Sequence, residues 1–203
     1  MSSYLHLPIC STLRGTVQRL SASKSISNRA LILKALGGNQ AVVRNLSDAR
    51  DTQLMMQALA NPERVIDVKD AGTTMRFLTA FFALTRQQKE ITGTARMKER
   101  PIGLLVDALR KLGATIDYLE KEGFPPIETK GFAHQATAEL EIPGDVSSQY
   151  ISALMMTAAL LPKGLVITLT GKVGSVPYID MTAALMQEFG VHCQTDRKST
   201  RLN

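Results

Sequence analysis

Three short stretches of the chain set small hydroxyl or glycine residues beside a cation or an amide: KSISNR at 24–29, AGTTMR at 71–76 and SSQY at 147–150. Each runs directly into an apolar-rich segment long enough to be a helix. A helix start offers unpaired backbone N–H groups and a partial positive charge, worth about 0.3–1 kcal/mol for an exposed anion. Serine and threonine hydroxyls, with Lys24 and Arg29 five residues apart, add side-chain donors. The plainer alternative is that each stretch is an ordinary N-cap, but three in one domain turn the reading toward anion binding. Arg100 closes the basic run ARMKER just before Pro101, where a guanidinium can form a fork to a carboxylate or phosphate; such a loop also serves solubility. The carboxylates Asp48, Asp51, Glu99 and Asp145 read as caps and surface partners. No paired acids and no Ser-His-Asp arrangement announce an acid and a base. Neither GxxxxGK[ST] nor GxGxxG occurs, so a nucleotide phosphate loop is excluded.

The elements that must carry these residues follow from periodicity and punctuation. Tyr4–Ile9 and Gly15–Leu20 read as short extended segments. Ala30–Leu36 reads as a helix stopped by Gly37 and Gly38. A strand is expected over Ala41–Leu46, a helix over Gln53–Leu59 ending at Asn61 and Pro62, and a strand over Val65–Val68. Then come a helix over Thr73–Leu84, a strand near Glu90–Thr92, a helix in PIGLLVDALRKLG and a strand over Ala114–Leu119. Phe124, Pro125 and Pro126 mark a turn. A strand over Ala138–Ile142, the helix SSQYISALMMTAALL, a strand over Leu165–Leu169, the helix PYIDMTAALMQEFG and a strand from Val191 complete the series. Helix-then-strand segments recur, as in DALRKLGATID, AALMQEFGVHC and, more weakly, QLMMQALANPERVIDV. The spacing is too unequal for a solenoid and suits three units closing one domain.

Composition narrows the class. At 203 residues, with 44% hydrophobic and 21% charged residues, the chain is that of a folded globular protein. Its formal charge of +6 admits nucleic acid, acidic membranes or small anions. Aromatics are 5% of the chain with no tryptophan, and none interleaves with the basic run, so stacking on single-stranded nucleic acid is poorly supported. Small anions are the better partners. No stretch reaches the roughly 18 apolar residues of a membrane span, and the first residues lack a secretory apolar run, so a cytoplasmic protein is expected. Cys10 and Cys193 stand at opposite ends and His6, His134 and His192 are scattered, without metal-ligand spacing, so neither a metal nor a cofactor is expected.

SKSISNRALIL, DAGTTMRFL, RMKERPIGLLVDALRKLGA, VSSQYISALMMTA and GSVPYIDMTAALMQEFGV, in that order across residues 23–192, resemble the signature segments of the EPSP synthase (3-phosphoshikimate 1-carboxyvinyltransferase) family of enolpyruvyl transferases. The resemblance implies an α/β (α+β) fold of three βαβαββ units about a pseudo-threefold axis, one domain of a two-domain enzyme. Residues 1–22 would be the leading strands and hinge segment, 23–195 the substrate-binding domain and 196–203 a disordered or non-native tail. The second domain would lie outside this sequence. The implied reaction joins the enolpyruvyl group of phosphoenolpyruvate to the 5-hydroxyl of shikimate 3-phosphate, in a monomeric enzyme with no metal.

By position, Lys24 would touch both substrates and serve catalysis. Ser25, Arg29, Ser147, Ser148, Gln149, Ser175 and Tyr178 would hold shikimate 3-phosphate, with Arg29 on its carboxylate. Gly72, Thr73 and Arg100 would receive phosphoenolpyruvate, with Gln149 between the two. Ser21, Ala22, Asp70, Thr74, Phe77 and Val176 depart from the usual family residues, which bears on phosphoenolpyruvate affinity and glyphosate sensitivity. The sister transferase acting on UDP-N-acetylglucosamine carries Lys-Asn where this chain has Lys24-Ser25, and a loop cysteine that this chain lacks. A non-catalytic anion- or RNA-binding domain is the alternative of another class.

Overall fold

Leu78, Ala80 and Phe81, on different faces of one helix, are all buried, so that helix must lie inside the protein with other elements around it. In the computed structural model, which describes residues 12, 15, 16, 18 and 20–195, this is helix α3 (Gly72–Leu84). Around it pack α1 (Lys24–Leu36), α2 (Arg50–Ala60), α5 (Gly103–Leu112) and α6 (Ser148–Ala158). A short helix α4 (Ala95–Lys98) precedes α5, and α7 (Val176–Glu188) packs on α6 and α1. The strands are β1 (Val65–Asp67), β2 (Lys89–Thr92), β3 (Ala114–Tyr118), β4 (Ile127–Phe132), β5 (Glu139–Pro143) and β6 (Val166–Thr170).

The first four strands form one sheet in the order β1-β2-β4-β3. β1 runs parallel to β2, with Ile66 opposite Ile91, whereas β4 runs antiparallel to both β2 and β3. β5 and β6 make a separate parallel pair, Glu139 opposite Val166 through Pro143 opposite Thr170. The chain order β1-α3-β2-α5-β3-β4, with α4 inserted, is a βαβαββ unit; β5-α6-β6-α7 supplies the first four elements of another. Ile66, Ile91, Ile116 and Ile127 turn one face of the larger sheet to α3 and α5, closing a core with Phe77, Leu105 and Leu109.

Several expectations need correction. No strand forms over 41–46: Asn45 takes φ +53°, which breaks extended backbone, and Val42 is 79% exposed. Residues 191–195 are likewise not a strand. The first helix begins six residues before Ala30, at Lys24, because Ser23 caps it by accepting from the Ile26 N–H at 3.4 Å. β4 was not expected, since IETKGF lacks apolar alternation. Its Glu128 is nevertheless buried, receiving Arg64 and, at 3.2 Å, Gln88, and Thr129 is buried against the Gln87 carbonyl at 2.7 Å. Another buried charge, Lys89, holds the turn that follows α2, donating to the carbonyls of Asn61 at 3.0 Å, Pro62 at 2.9 Å and Glu63. The expected segment Tyr4–Ile9, Cys10 and the 196–203 tail lie outside the described residues, as does part of Gly15–Leu20.

Candidate functional site

The starts of the buried helices are tied to one another by side chains. Lys24, in the first turn of α1, donates to Asp51 of α2 at 3.0 Å. The Asp51 carbonyl accepts from Thr74 at 3.1 Å, which joins α2 to the first turn of α3. Thr73, the next residue back on α3, accepts from Gln149 of α6 at 3.0 Å. Three of the sequence-predicted ligands, Lys24, Thr73 and Gln149, are thereby brought to one end of the helix cluster. Asp51 was read as a cap or surface partner; it is the ion-pair partner of Lys24, and α2 is capped by Ala49 without a side-chain bond.

Arg100 lies across the start of α3. A β-carbon at Gly72 would fall 2.3 Å from Arg100 Nη1 and 2.6 Å from its Cζ, so the guanidinium occupies the space that glycine leaves open. Nη1 also reaches the Asp70 carbonyl at 3.4 Å. Burial, with the cations Arg76 and Arg96 nearby, pushes the Arg100 pKa below its ordinary value, which marks a site crowded with positive charge. Arg76 braces this corner from inside. It is buried, donates to the Gly72 carbonyl at 2.9 Å and the Pro101 carbonyl at 3.3 Å, and lies 5.2 Å over the Tyr150 ring. Tyr150 donates to the same Pro101 carbonyl at 2.6 Å. Gly72, against which Arg100 lies, and Pro101, which follows it in sequence, are thus joined through the Arg76 side chain.

Arg29 is placed differently from the expectation of a cation reaching outward at a helix entry. Only 2% of it is exposed, and it donates to Ser25 O, Ser152 Oγ and Thr182 Oγ1. Phe77 and Tyr178 present their rings to it at 5.3 and 5.7 Å. Burial pushes its pKa down to about 10, which leaves it protonated at neutral pH. Ser147 caps α6, accepting weakly from the Gln149 N–H at 3.4 Å, and Ser148 is buried in the first turn. Ser175 caps α7 in the left-handed region at φ 53°, and Tyr178 is 43% exposed on the first turn. Residue reasoning placed this helix from Pro177 without counting its start among the anion-site candidates; Ser175 and Tyr178 entered through the family resemblance. It also passed over Arg76, Ser152 and Thr182, which look like ordinary helix residues until the helices are packed.

Among the described residues, no group of three His, Cys, Asp or Glu side chains could hold a metal, and no helix is long and apolar enough to cross a membrane. The chemistry this arrangement offers is anion binding: helix starts, hydroxyls, a half-exposed cation at Lys24 and a partly buried one at Arg100.

The fold defines the class first. It matches two solved structures of EPSP synthase from Acinetobacter baumannii, each with a TM-score of 0.71 at 18% identity, over 86% of this chain and 44% of that one. At sequence level, the model of the EPSP synthase (3-phosphoshikimate 1-carboxyvinyltransferase) family matches residues 8–61 and 59–203, and the chain belongs to that family. It is 52% identical over 180 residues to the 3-phosphoshikimate 1-carboxyvinyltransferase of Bacteroides fragilis strain YCH46, covering 89% of this chain and 43% of the relative. With the enzyme of the same description from Burkholderia vietnamiensis it shares 41% identity over 219 residues, covering 95% and 50%. The chain spans about half the length of the curated relatives it matches.

Proposed function

We propose that these residues form the shikimate 3-phosphate-binding half of an enolpyruvyl transferase and contribute part of its phosphoenolpyruvate site. The observation that carries this reading is the linkage of Lys24, Thr73 and Gln149 at adjoining helix starts, with Arg100 lying over Gly72. Ser25, Arg29, Ser147, Ser148, Gln149, Ser175 and Tyr178 take shikimate 3-phosphate. Gly72, Thr73 and Arg100 take phosphoenolpyruvate, and Lys24 serves both. Residues 23–195 act as the substrate-binding domain, built on three βαβαββ units, of a monomeric cytoplasmic enzyme whose other domain lies beyond this sequence.

The reaction is an addition followed by an elimination. The 5-hydroxyl oxygen attacks C2 of phosphoenolpyruvate and loses its proton, while C3 gains one. The tetrahedral adduct then loses a proton from C3 and expels phosphate, restoring the double bond. Lys24 and Arg100 counter the charge of two anionic reactants held side by side, and helix-start N–H groups do so without reorganising, which is where fixed dipoles are most effective. No acid or base pair for the proton transfers stands among the residues assigned, so these groups come from the other domain.

Phosphate release with both substrates tests the reading, first on the 203-residue chain and then with the separately expressed second half of the Bacteroides fragilis relative. The chain alone should bind shikimate 3-phosphate in preference to shikimate and turn nothing over; the mixture should release phosphate. Turnover by the chain alone, or binding that does not distinguish shikimate 3-phosphate from shikimate, defeats it.

A further inference from the structure

Arg29 is a buried cation with no carboxylate paired to it among the described residues. Its charge is met by neutral groups from three other helices. Nε donates to Thr182 Oγ1 of α7 at 2.7 Å and Nη2 to Ser152 Oγ of α6 at 2.8 Å, while Phe77 of α3 lies under the guanidinium at 5.3 Å. The two hydroxyl oxygens are 2.9 Å apart, and Thr182 donates its proton to the Tyr178 carbonyl at 2.7 Å. Each hydroxyl has one proton. With that of Thr182 committed to Tyr178, the Ser152 proton goes to Thr182 Oγ1, and the chain runs one way, from Arg29 through Ser152 and Thr182 to the α7 backbone. The hydroxyl pair fills the side fork of the guanidinium. With Nη1 also donating to the Ser25 carbonyl at 2.9 Å, one N–H on Nη1 and one on Nη2 are left.

We propose that Ser152 and Thr182 are positioning residues that fix the rotation of the Arg29 guanidinium, so that its two remaining N–H groups meet the substrate carboxylate. The proposal rests on the assignment of shikimate 3-phosphate above. Neutral acceptors suit this task where a carboxylate would not. An acid in their place would cancel the charge of Arg29 before the substrate arrived, whereas hydroxyls set its geometry and leave the charge for the ligand. Burial keeps that charge free of competing water, and its lowered pKa still lies well above neutral pH.

The test uses calorimetric binding of two probes to the 203-residue chain: shikimate 3-phosphate and its analogue with the carboxylate reduced to a primary alcohol. Thr182→Val keeps the shape and removes the hydroxyl. It should bind shikimate 3-phosphate about ten- to a hundredfold more weakly, the worth of a charge-assisted hydrogen bond, yet bind the alcohol nearly as the parent does. Thr182→Ser should restore most of the loss, and Ser152→Ala carries the same test should Thr182→Val not fold. A folded Thr182→Val that binds both probes as the parent does, or loses equally for both, overturns the proposal. A slowly exchanging Arg29 Nε–H signal by nuclear magnetic resonance, present in the parent and lost in Thr182→Val, supports the clamp independently of ligand. Exchange in the parent as fast as in an exposed arginine overturns it. If the parent binds neither probe, the substrate assignment fails, and the Nε–H signal alone then decides whether Arg29 is held as described.

Discussion

At the scale of single residues, the closest fit in the candidate site is that of Gly72 under Arg100. Gly72 needs no unusual φ; what it supplies is room, since its missing β-carbon is where the guanidinium lies. The obstructing atoms are the far end of a flexible side chain, so Gly72→Ala should leave the fold intact and swing Arg100 out of place. We predict a raised KM for phosphoenolpyruvate in an enzyme completed with the second domain and, in the 203-residue chain, a melting temperature within about 1 °C of the parent, below the roughly 2–4 °C that a 1 kcal/mol loss gives a domain of this size. A large fall in melting temperature with unchanged KM would show that the glycine is structural instead. Arg100→Ala should raise the same KM by roughly ten- to a hundredfold, the worth of a charge-assisted hydrogen bond. Initial-rate phosphate release over a range of phosphoenolpyruvate concentrations measures both. If Arg100→Ala kept the parent KM, phosphoenolpyruvate would have to bind elsewhere.

At the scale of elements, the antiparallel strand β4 is held in a mixed sheet by polar contacts as well as by Ile127. Glu128 is buried opposite Glu90 of β2 and receives Arg64 and Gln88, with Lys130 at 3.7 Å. The hydrogen bond from Arg64 holds the Glu128 carboxyl below the usual carboxylate range. A carboxyl whose folded pKa lies below its unfolded value, about 4.3, adds stability that is present above that value and lost as pH falls through the folded one. Glu128→Gln cannot take up that proton. We predict that the melting temperature of the parent falls more steeply than that of Glu128→Gln from pH 5 to pH 3, with the parent the more stable of the two at pH 7. Parallel curves in thermal melts across that range would mean that the Arg64 contact contributes nothing. Arg64 is 63% exposed at its side chain, so the effect should be modest.

At the scale of the whole molecule, four helix starts lie on connected elements, and the apolar side chains beside them are open: Ile26 on α1 is 44% exposed, with Val176 and Tyr178 on α7 at 42% and 43%. Exclusion of water from the proposed site would require the second domain to close over this face when substrates bind. Hydrogen exchange on the first turns of α1 and α7 should therefore slow when the second half and both shikimate 3-phosphate and phosphoenolpyruvate are added, and change much less with the second half alone. Slowing confined to the opposite end, around Leu84 and Leu160, would put the partner on the wrong face. Exclusion of water matters for rate because every charge interaction in the site strengthens as the dielectric falls.

Much of this was legible in the one-dimensional chain. The glycine and proline punctuation marked where α3, α5 and α7 stop or start, and small hydroxyl residues marked the entries of α3 and α6, because capping is a local effect that depends on nearest neighbours in sequence. What local reasoning could not decide was which polar residues are buried. A helix was expected only from Ala30, yet Ser27, Asn28 and Arg29 lie inside as part of it; no strand was expected over IETKGF, yet Glu128 and Thr129 lie in the sheet. For Arg29 and Glu128 the partner that makes burial tolerable comes from far along the chain: Thr182, 153 residues away, and Arg64, 64 residues away. Only tertiary structure brings such partners together, and a polar group's cost of burial is set by the partner it finds rather than by its own type.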